Sequence, residues 1–163
     1  LYYFTRKSPI QRALHQLKDH NQPDIGTRIG RQLGALLAAS PHFESIEALI
    51  PVPLHPKKER ARGYNQSAMI AAGIGDFLHL PVLHDVLIRR QGSESQTRKK
   101  RMERFDNVGA AFTLKHPARI QGKHLLIVDD VLTTGATLEA CGKALLEASD
   151  VRLSMATAAI AMH

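Results

Sequence analysis

The chain has 163 residues, 44% of them hydrophobic and 23% charged, which suits one globular domain with a sizeable core. Its 22 Lys and Arg against 15 Asp and Glu leave a net charge of +7, a surplus that attracts phosphates, nucleic acid or anionic lipid without choosing among them. Cys141, the single cysteine, excludes an internal disulfide and a cysteine-based zinc site, and no apolar run reaches the roughly 20 residues of a membrane span. The N-terminal LYYFTRKSPIQ lacks the apolar core of a signal peptide, so the expectation is a cytoplasmic protein with no membrane insertion. A start at Leu1 rather than Met suggests a longer parent with an upstream module.

Ser8 and Pro9 read as an N-cap and a first-turn proline, and Ile10, Ala13, Leu14 and Leu17 follow at helical spacing in a helix ending near Asn21. A second helix is expected from Asp24 to Ala39, with Ile25, Ile29, Leu33, Leu36 and Leu37 on its apolar face. Gly26, Gly30 and Gly34 recur along it at every fourth position, a stripe that permits close helix packing. Ala48 to Val52 reads as a short buried strand, stopped by the prolines of PVPLHP and followed by a loop. A helix over Asn65 to Leu80 and a strand over Pro81 to Ile88 come next. Gln91 to Asn107 shows no apolar period and reads as a mobile loop or a solvent-facing hairpin. Gly109 to Leu114 is an expected strand, Lys123 to Asp129 a buried aliphatic strand, Ala136 to Ala148 a helix and Val151 to Ile160 a last strand.

This alternation predicts an α/β fold with a mostly parallel twisted sheet flanked by helices. Residues 1–163 then form one domain, with 1–40 an N-terminal helical part and 46–163 the α/β core. In such sheets ligands bind beyond the carboxyl ends of the strands, which singles out the loops after Val52 and after Asp129. The second loop belongs to LLIVDDVLTTGAT, Leu125 to Thr137. Four aliphatics form the strand, Asp129 and Asp130 emerge at its end, and Thr133, Thr134, Gly135, Ala136 and Thr137 set hydroxyls and free amides at a helix N-terminus. Such a terminus attracts phosphate. The acids suit a neighbouring polyol, or a Mg²⁺ ion that keeps most of its waters. An ordinary capped turn, with Asp130 and Thr133 as caps, is the plainer alternative.

The whole stretch resembles the motif that binds phosphoribosyl pyrophosphate (PRPP) in type I phosphoribosyltransferases. The resemblance narrows further: Ile50 to His55 (IPVPLH), Arg62 to Gln66 (RGYNQ), Gln96 to Asn107 (QTRKKRMERFDN) and the Leu125 motif stand in the order found in ComF family proteins, across nearly all of the chain. It implies a type I phosphoribosyltransferase fold, Mg²⁺ as cofactor and a link to natural competence and DNA uptake. The small four-cysteine zinc module that usually precedes the domain in that family is not present in these residues. By the same resemblance Asp129 and Asp130 take the ribose hydroxyls and Mg²⁺, and Thr133 through Thr137 the 5′-phosphate. The pyrophosphate needs a second anion loop, for which Val52, Pro53 and Leu54 would offer a tight turn with backbone amides, and Lys57, Arg60 and above all Arg62 the charge. Gln96 to Asn107 resembles a loop closing over the substrate, with Arg101 and Arg104 as its cations. Some purine enzymes of this fold carry an aspartate where this chain has Thr133, and threonine supplies no such base. Two functions follow as expectations: transfer of phosphoribose to an unidentified acceptor, with Asp129, Asp130 and Arg62 as catalytic residues, and a PRPP-responsive accessory role with single-stranded DNA or competence machinery as partner. A homodimer is compatible with either.

Overall fold

A computed structural model describes residues 2–4, 8–19, 21–90 and 111–161. In chain order the elements are β1 (Tyr2–Phe4), α1 (Pro9–Asp19), α2 (Pro23–Ala38), a 3-10 turn (Pro41–Phe43), β2 (Ala48–Pro51), α3 (Pro56–Arg62), α4 (Gln66–Leu78), β3 (Leu87–Arg89), β4 (Phe112–Leu114), a second 3-10 turn (Pro117–Arg119), β5 (His124–Leu132), α5 (Ala136–Leu145) and β6 (Arg152–Ala161). Four strands make a parallel sheet in the order β1-β6-β5-β2, and β3 pairs antiparallel with β4 in a separate ribbon. This is the α/β architecture with a parallel sheet and flanking helices that the strand and helix alternation predicts. Among the described residues no helix is long and apolar enough to cross a membrane.

The central strand explains the layering. Successive residues of β5 point to opposite faces, so a run of aliphatics feeds two cores at once. Leu125 and Ile127 join Ala48, Ile50, Leu138, Cys141 and Leu145 under α5, whereas Leu126 and Val128 join Leu49, Ile70, Ile74, Leu14 and Leu17 under α1, α2 and α4. Cys141 is buried in the first of these cores, and burial pushes its thiol up to about 12, so it packs as a small apolar side chain. The glycine stripe finds its purpose here. A Cβ on Gly30 would stand 2.1 Å from the Ile70 carbonyl oxygen, and one on Gly73 2.1 Å from that of Thr27. Helices α2 and α4 therefore touch backbone to backbone.

Four expectations change. The loop after β2 contains a helix, α3: His55 caps it by accepting from the Lys57 amide, Pro56 opens it, and Gly63 ends it at φ 87°. Pro81 to Ile88 is not one strand. Val82 makes a single parallel bridge to Leu49, and the chain then bends away so that Leu87 to Arg89 pairs with Thr113 and its neighbours. Within Gly109 to Leu114, only Phe112 to Leu114 is strand among the described residues. Strand β5 also continues past the acids, with Val131 and Leu132 paired to Ala159 and Ile160. Its length comes from β6, which offers ten residues of partner.

His124, at the start of β5, is buried between Ser45 and Ser154, each 2.8 Å from a ring nitrogen. Burial first, and then the charge of Arg152, lowers its pKa below the usual 6.5. The folded state thus favours the neutral ring, and its contribution to stability is complete above about 6.5 and lost as pH falls through the lower folded value. Denaturant unfolding should show stability declining more steeply between pH 7 and pH 5 in the parent than in His124→Asn.

Candidate functional site

Asp129 and Asp130 are consecutive on β5 near its carboxyl end, with Asp129 in register with Thr157 of β6. Asp129 Oδ1 accepts from the Ser67 hydroxyl at 2.8 Å and from the Asp130 amide at 2.9 Å. Asp130 Oδ1 accepts from the Val131 amide at 2.8 Å. Asp130 Oδ2 is buried without a well-aligned donor, yet it lies 2.5 Å from Lys18 Nζ on α1. The short separation identifies an ion pair held by charge rather than by hydrogen-bond direction. Desolvation, and then the charge of Asp130, push the Asp129 carboxyl up to about 6, against the lowering by Ser67. A perturbed acid beside a buried acid, next to a helix start, is an arrangement that binding sites share. Neither Asp130 nor Thr133 caps α5.

The RGYNQS stretch is the hub that assembles these groups. Arg62 donates from Nη1 to Gln66 Oε1, and the Tyr64 hydroxyl donates to the Leu17 carbonyl, one residue before Lys18. Asn65 donates to the Val52 carbonyl at 2.9 Å while its Oδ1 caps α4 at the Ser67 amide. Ser67 reaches Asp129. One six-residue segment thus fixes the turn after β2, the end of α1 and the acid strand relative to one another. The sequence reading missed Ser67, Lys18 and the linking role of Asn65; the cap signal of Asn65 was legible, but the partners were not. Ser67→Ala should weaken any ligand held by the ionised Asp129 roughly tenfold, because a hydrogen bond to a charged group is lost; calorimetry with PRPP checks it.

The turn after β5 matches its expected shape. Gly135 stands at φ 82° as the N-cap of α5 with no side-chain cap, and Thr133, Thr134 and Thr137 are exposed beside the amides of Ala136 and its successors. Thr134 Oγ1 lies 3.4 Å from the Ala136 amide, a weak contact that leaves this terminus open to an anion. The turn after β2 needs correction as an amide donor. The Val52 amide is committed to the Val128 carbonyl and Pro53 has no N–H, so its donors reduce to Leu54 and beyond. Lys57 and Arg60 are exposed on α3, whereas Arg62 is half-buried at its end. Arg101 and Arg104 lie outside the described residues. The chain leaves for that segment and returns from it at Arg90 and Ala111, whose backbones are hydrogen bonded at 2.9 Å.

Among the described residues no group of three or more His, Cys, Asp or Glu is placed to hold a metal. Two hard carboxylates still fit Mg²⁺ in the manner such ions prefer, with water and substrate oxygens completing the shell. Lys18 covers the Asp130 side, so the Asp129 side would face a hydrated ion. A cavity of about 630 Å³ touches the turn at Thr134 and Gly135 but runs along β6 between Leu36, Leu138 and Met155, an apolar lining ill suited to a polyanion.

The sequence pattern of the phosphoribosyl transferase domain family matches residues 66–162. Relatives include the DNA utilization protein YhgH of Escherichia coli O157:H7, 29% identical over 141 residues, and competence protein F of Haemophilus influenzae, 28% identical over 141 residues. These alignments cover 85% and 84% of this chain but 61% and 62% of those proteins. The chain therefore spans somewhat under two thirds of its curated relatives. The glutamine PRPP amidotransferase from B. subtilis complexed with ADP and GMP superposes with a TM-score of 0.60 at 17% identity, over 90% of this chain and 30% of that one, which shows a shared fold. With the family pattern over more than half its length, relatives named for DNA utilization and competence along most of it, and competence protein ComFC of Bacillus subtilis 33% identical over 99 residues, the chain belongs to the phosphoribosyltransferase domain family, in its ComF branch.

Proposed function

We propose that this domain binds PRPP with Mg²⁺ and transfers its phosphoribosyl group to an acceptor, releasing pyrophosphate. The observation that carries the reading is the acid pair on the central strand beside the uncapped start of α5, which sets diol acceptors next to a phosphate cradle. Asp129 and Asp130 accept the two ribose hydroxyls. Thr133, Thr134, Gly135, Ala136 and Thr137 hold the 5′-phosphate. Pyrophosphate lies toward the turn at Val52, Pro53 and Leu54, where Arg62, Lys57 and Arg60 supply charge and Leu54 an amide. Mg²⁺, when bound, neutralises the pyrophosphate and polarises its oxygens.

In the transfer the bond from C1 to the pyrophosphate oxygen breaks, with its electron pair leaving on pyrophosphate, while the acceptor's lone pair forms the new bond to C1. Positive charge develops on the ribose as this happens, and the ionised Asp129 and Asp130 stabilise it from the hydroxyl side. Arg62 supplies the charge that faces the leaving group. Thr133 provides no carboxylate base, so the acceptor is an amine or base already nucleophilic at neutral pH. We place the protein in the cytoplasm, as a monomer or homodimer.

A second reading is favoured by the net charge of +7 and by relatives named for DNA utilization and competence: a domain that binds PRPP without turnover and answers it by binding single-stranded DNA. One experiment separates the two. Pyrophosphate release from PRPP and Mg²⁺ is followed against a panel of amines and bases, beside single-stranded DNA binding with and without PRPP. Release with one acceptor class supports transfer, and DNA binding that depends on PRPP without any release overturns it in favour of the second reading.

A further inference from the structure

Strand β6 has one open side. It pairs with β5 between Arg152 and Ile160, whereas on its other side β1 covers only Ala159 to Ala161, and among the described residues nothing pairs there with Arg152 to Ala158. Backbone groups alternate in direction along a strand, and the Arg152 amide donates on the β5 side, to the Lys123 carbonyl at 2.9 Å. The amides and carbonyls of Leu153, Met155 and Thr157 therefore point outward, on the side that β1 takes farther along. Two helices flank this edge from opposite faces of the sheet. The cavity of about 630 Å³ runs along it, with Leu33, Leu36 and Leu37 of α2 on one side and Leu138 of α5 with Met155 on the other. Leu36 is 56% exposed and Met155 46%, large apolar side chains that neither core absorbs.

We propose that this edge takes one extended segment of a partner protein as an added strand, beside β6 and in line with β1. Its side chains would alternate between the α2 wall and the wall of Leu138 and Met155. The row of outward backbone groups and the apolar cavity carry the inference together. A small apolar molecule would fill the cavity but leave those amides and carbonyls without partners, whereas a strand meets both needs. β1 shows that the same edge accepts a strand where one is supplied. A second copy of the chain would bring its own α2 and α5 to the edge, and a net charge of +7 on each copy opposes that approach. The segment facing Leu153 to Thr157 is thus apolar on both of its faces and free of proline, the pattern of a strand buried on both sides.

The probe is a fluorescein-labelled synthetic peptide of alternating valine and leucine flanked by glutamates, followed by fluorescence anisotropy. A companion peptide carries proline in place of its central valine, which removes a ladder donor. The parent should bind the first peptide saturably at one site per chain and the second at least about tenfold more weakly. Met155→Asp and Leu36→Asp should each weaken the first peptide about tenfold or more. Both residues are exposed, and either variant supplies the readout should the other not fold. Equal binding of the two peptides overturns the proposal by marking the cavity as an apolar sink, and so does absence of binding by the parent or binding that neither variant weakens. Sedimentation velocity of the parent alone completes the test. A monomer supports the proposal, and a dimer that Met155→Asp dissociates overturns it, because a second copy then holds the edge.

Discussion

Asp129→Asn is expected to make the unliganded protein more stable at pH 8 while removing its response to PRPP. In the unfolded chain an aspartate titrates near 3.8, whereas in the fold the Asp129 carboxyl is pushed up to about 6 by burial and by Asp130. The folded state therefore prefers the protonated acid. The stability it contributes is full below about 3.8 and is lost as pH rises through about 6, so at pH 8 an ionised Asp129 works against the fold. A shift of this size corresponds to something on the order of 2 to 3 kcal/mol. Asparagine has nearly the same shape, keeps an Oδ1 that accepts from Ser67 and from the Asp130 amide, and carries no charge to desolvate. The melting temperature at pH 8 should rise by about 4–10 °C over the parent, and the gap should narrow below pH 6 and close as pH falls to about 3.8. Addition of PRPP and Mg²⁺ should raise the melting temperature of the parent alone. Asp129 being held ionised at a cost to the fold is what a residue kept for its ligand would show. If Asp129→Asn lowers stability at pH 8, the carboxylate is a structural anchor and the site is misread.

The second large effect lies away from the chemistry. Gly30→Ala should destabilise the protein by about 2 to 3 kcal/mol, although alanine is the better helix former by up to about 1 kcal/mol. The added Cβ would stand 2.1 Å from the Ile70 carbonyl oxygen and 2.9 Å from Gly73 Cα, and neither is a side chain that can swing away. Helices α2 and α4 must separate instead. That movement reaches the site, since α4 begins at Gln66 and Ser67, whose hydroxyl holds Asp129. Urea unfolding measures the stability loss, and a PRPP affinity that falls with it would show the seam and the acid pair to be coupled. An unchanged unfolding midpoint would mean that α2 and α4 are less closely packed than the glycines indicate.

What could be read in the sequence was what is local. Leu125 to Thr137 announced itself because strand, acids, turn and helix start are contiguous, and each step has its own residue chemistry. The aliphatic run of β5 and the apolar faces of α1, α2 and α4 were equally plain. Helix α3 escaped because KKERAR has no apolar period, although Pro56 before it and Gly63 after it were a start and a stop in plain view. Strand β1 escaped because three residues carry no periodicity, and it exists by pairing with β6 at the far end of the chain. Lys18 and Ser67 were beyond reach for a different reason: their partners stand 112 and 62 positions away, and no local pattern distinguishes a lysine in a last turn from any other solvated charge. The glycine stripe was visible as a pattern, while its purpose needed the facing helix.

The most direct test is titration calorimetry of the protein with PRPP in the presence of Mg²⁺, run beside Asp129→Asn and Asp130→Asn. Saturable binding by the parent at one site per chain, abolished or weakened at least about a hundredfold by either substitution, is the predicted result. Absence of binding by the parent, or equal binding by all three proteins, would contradict it.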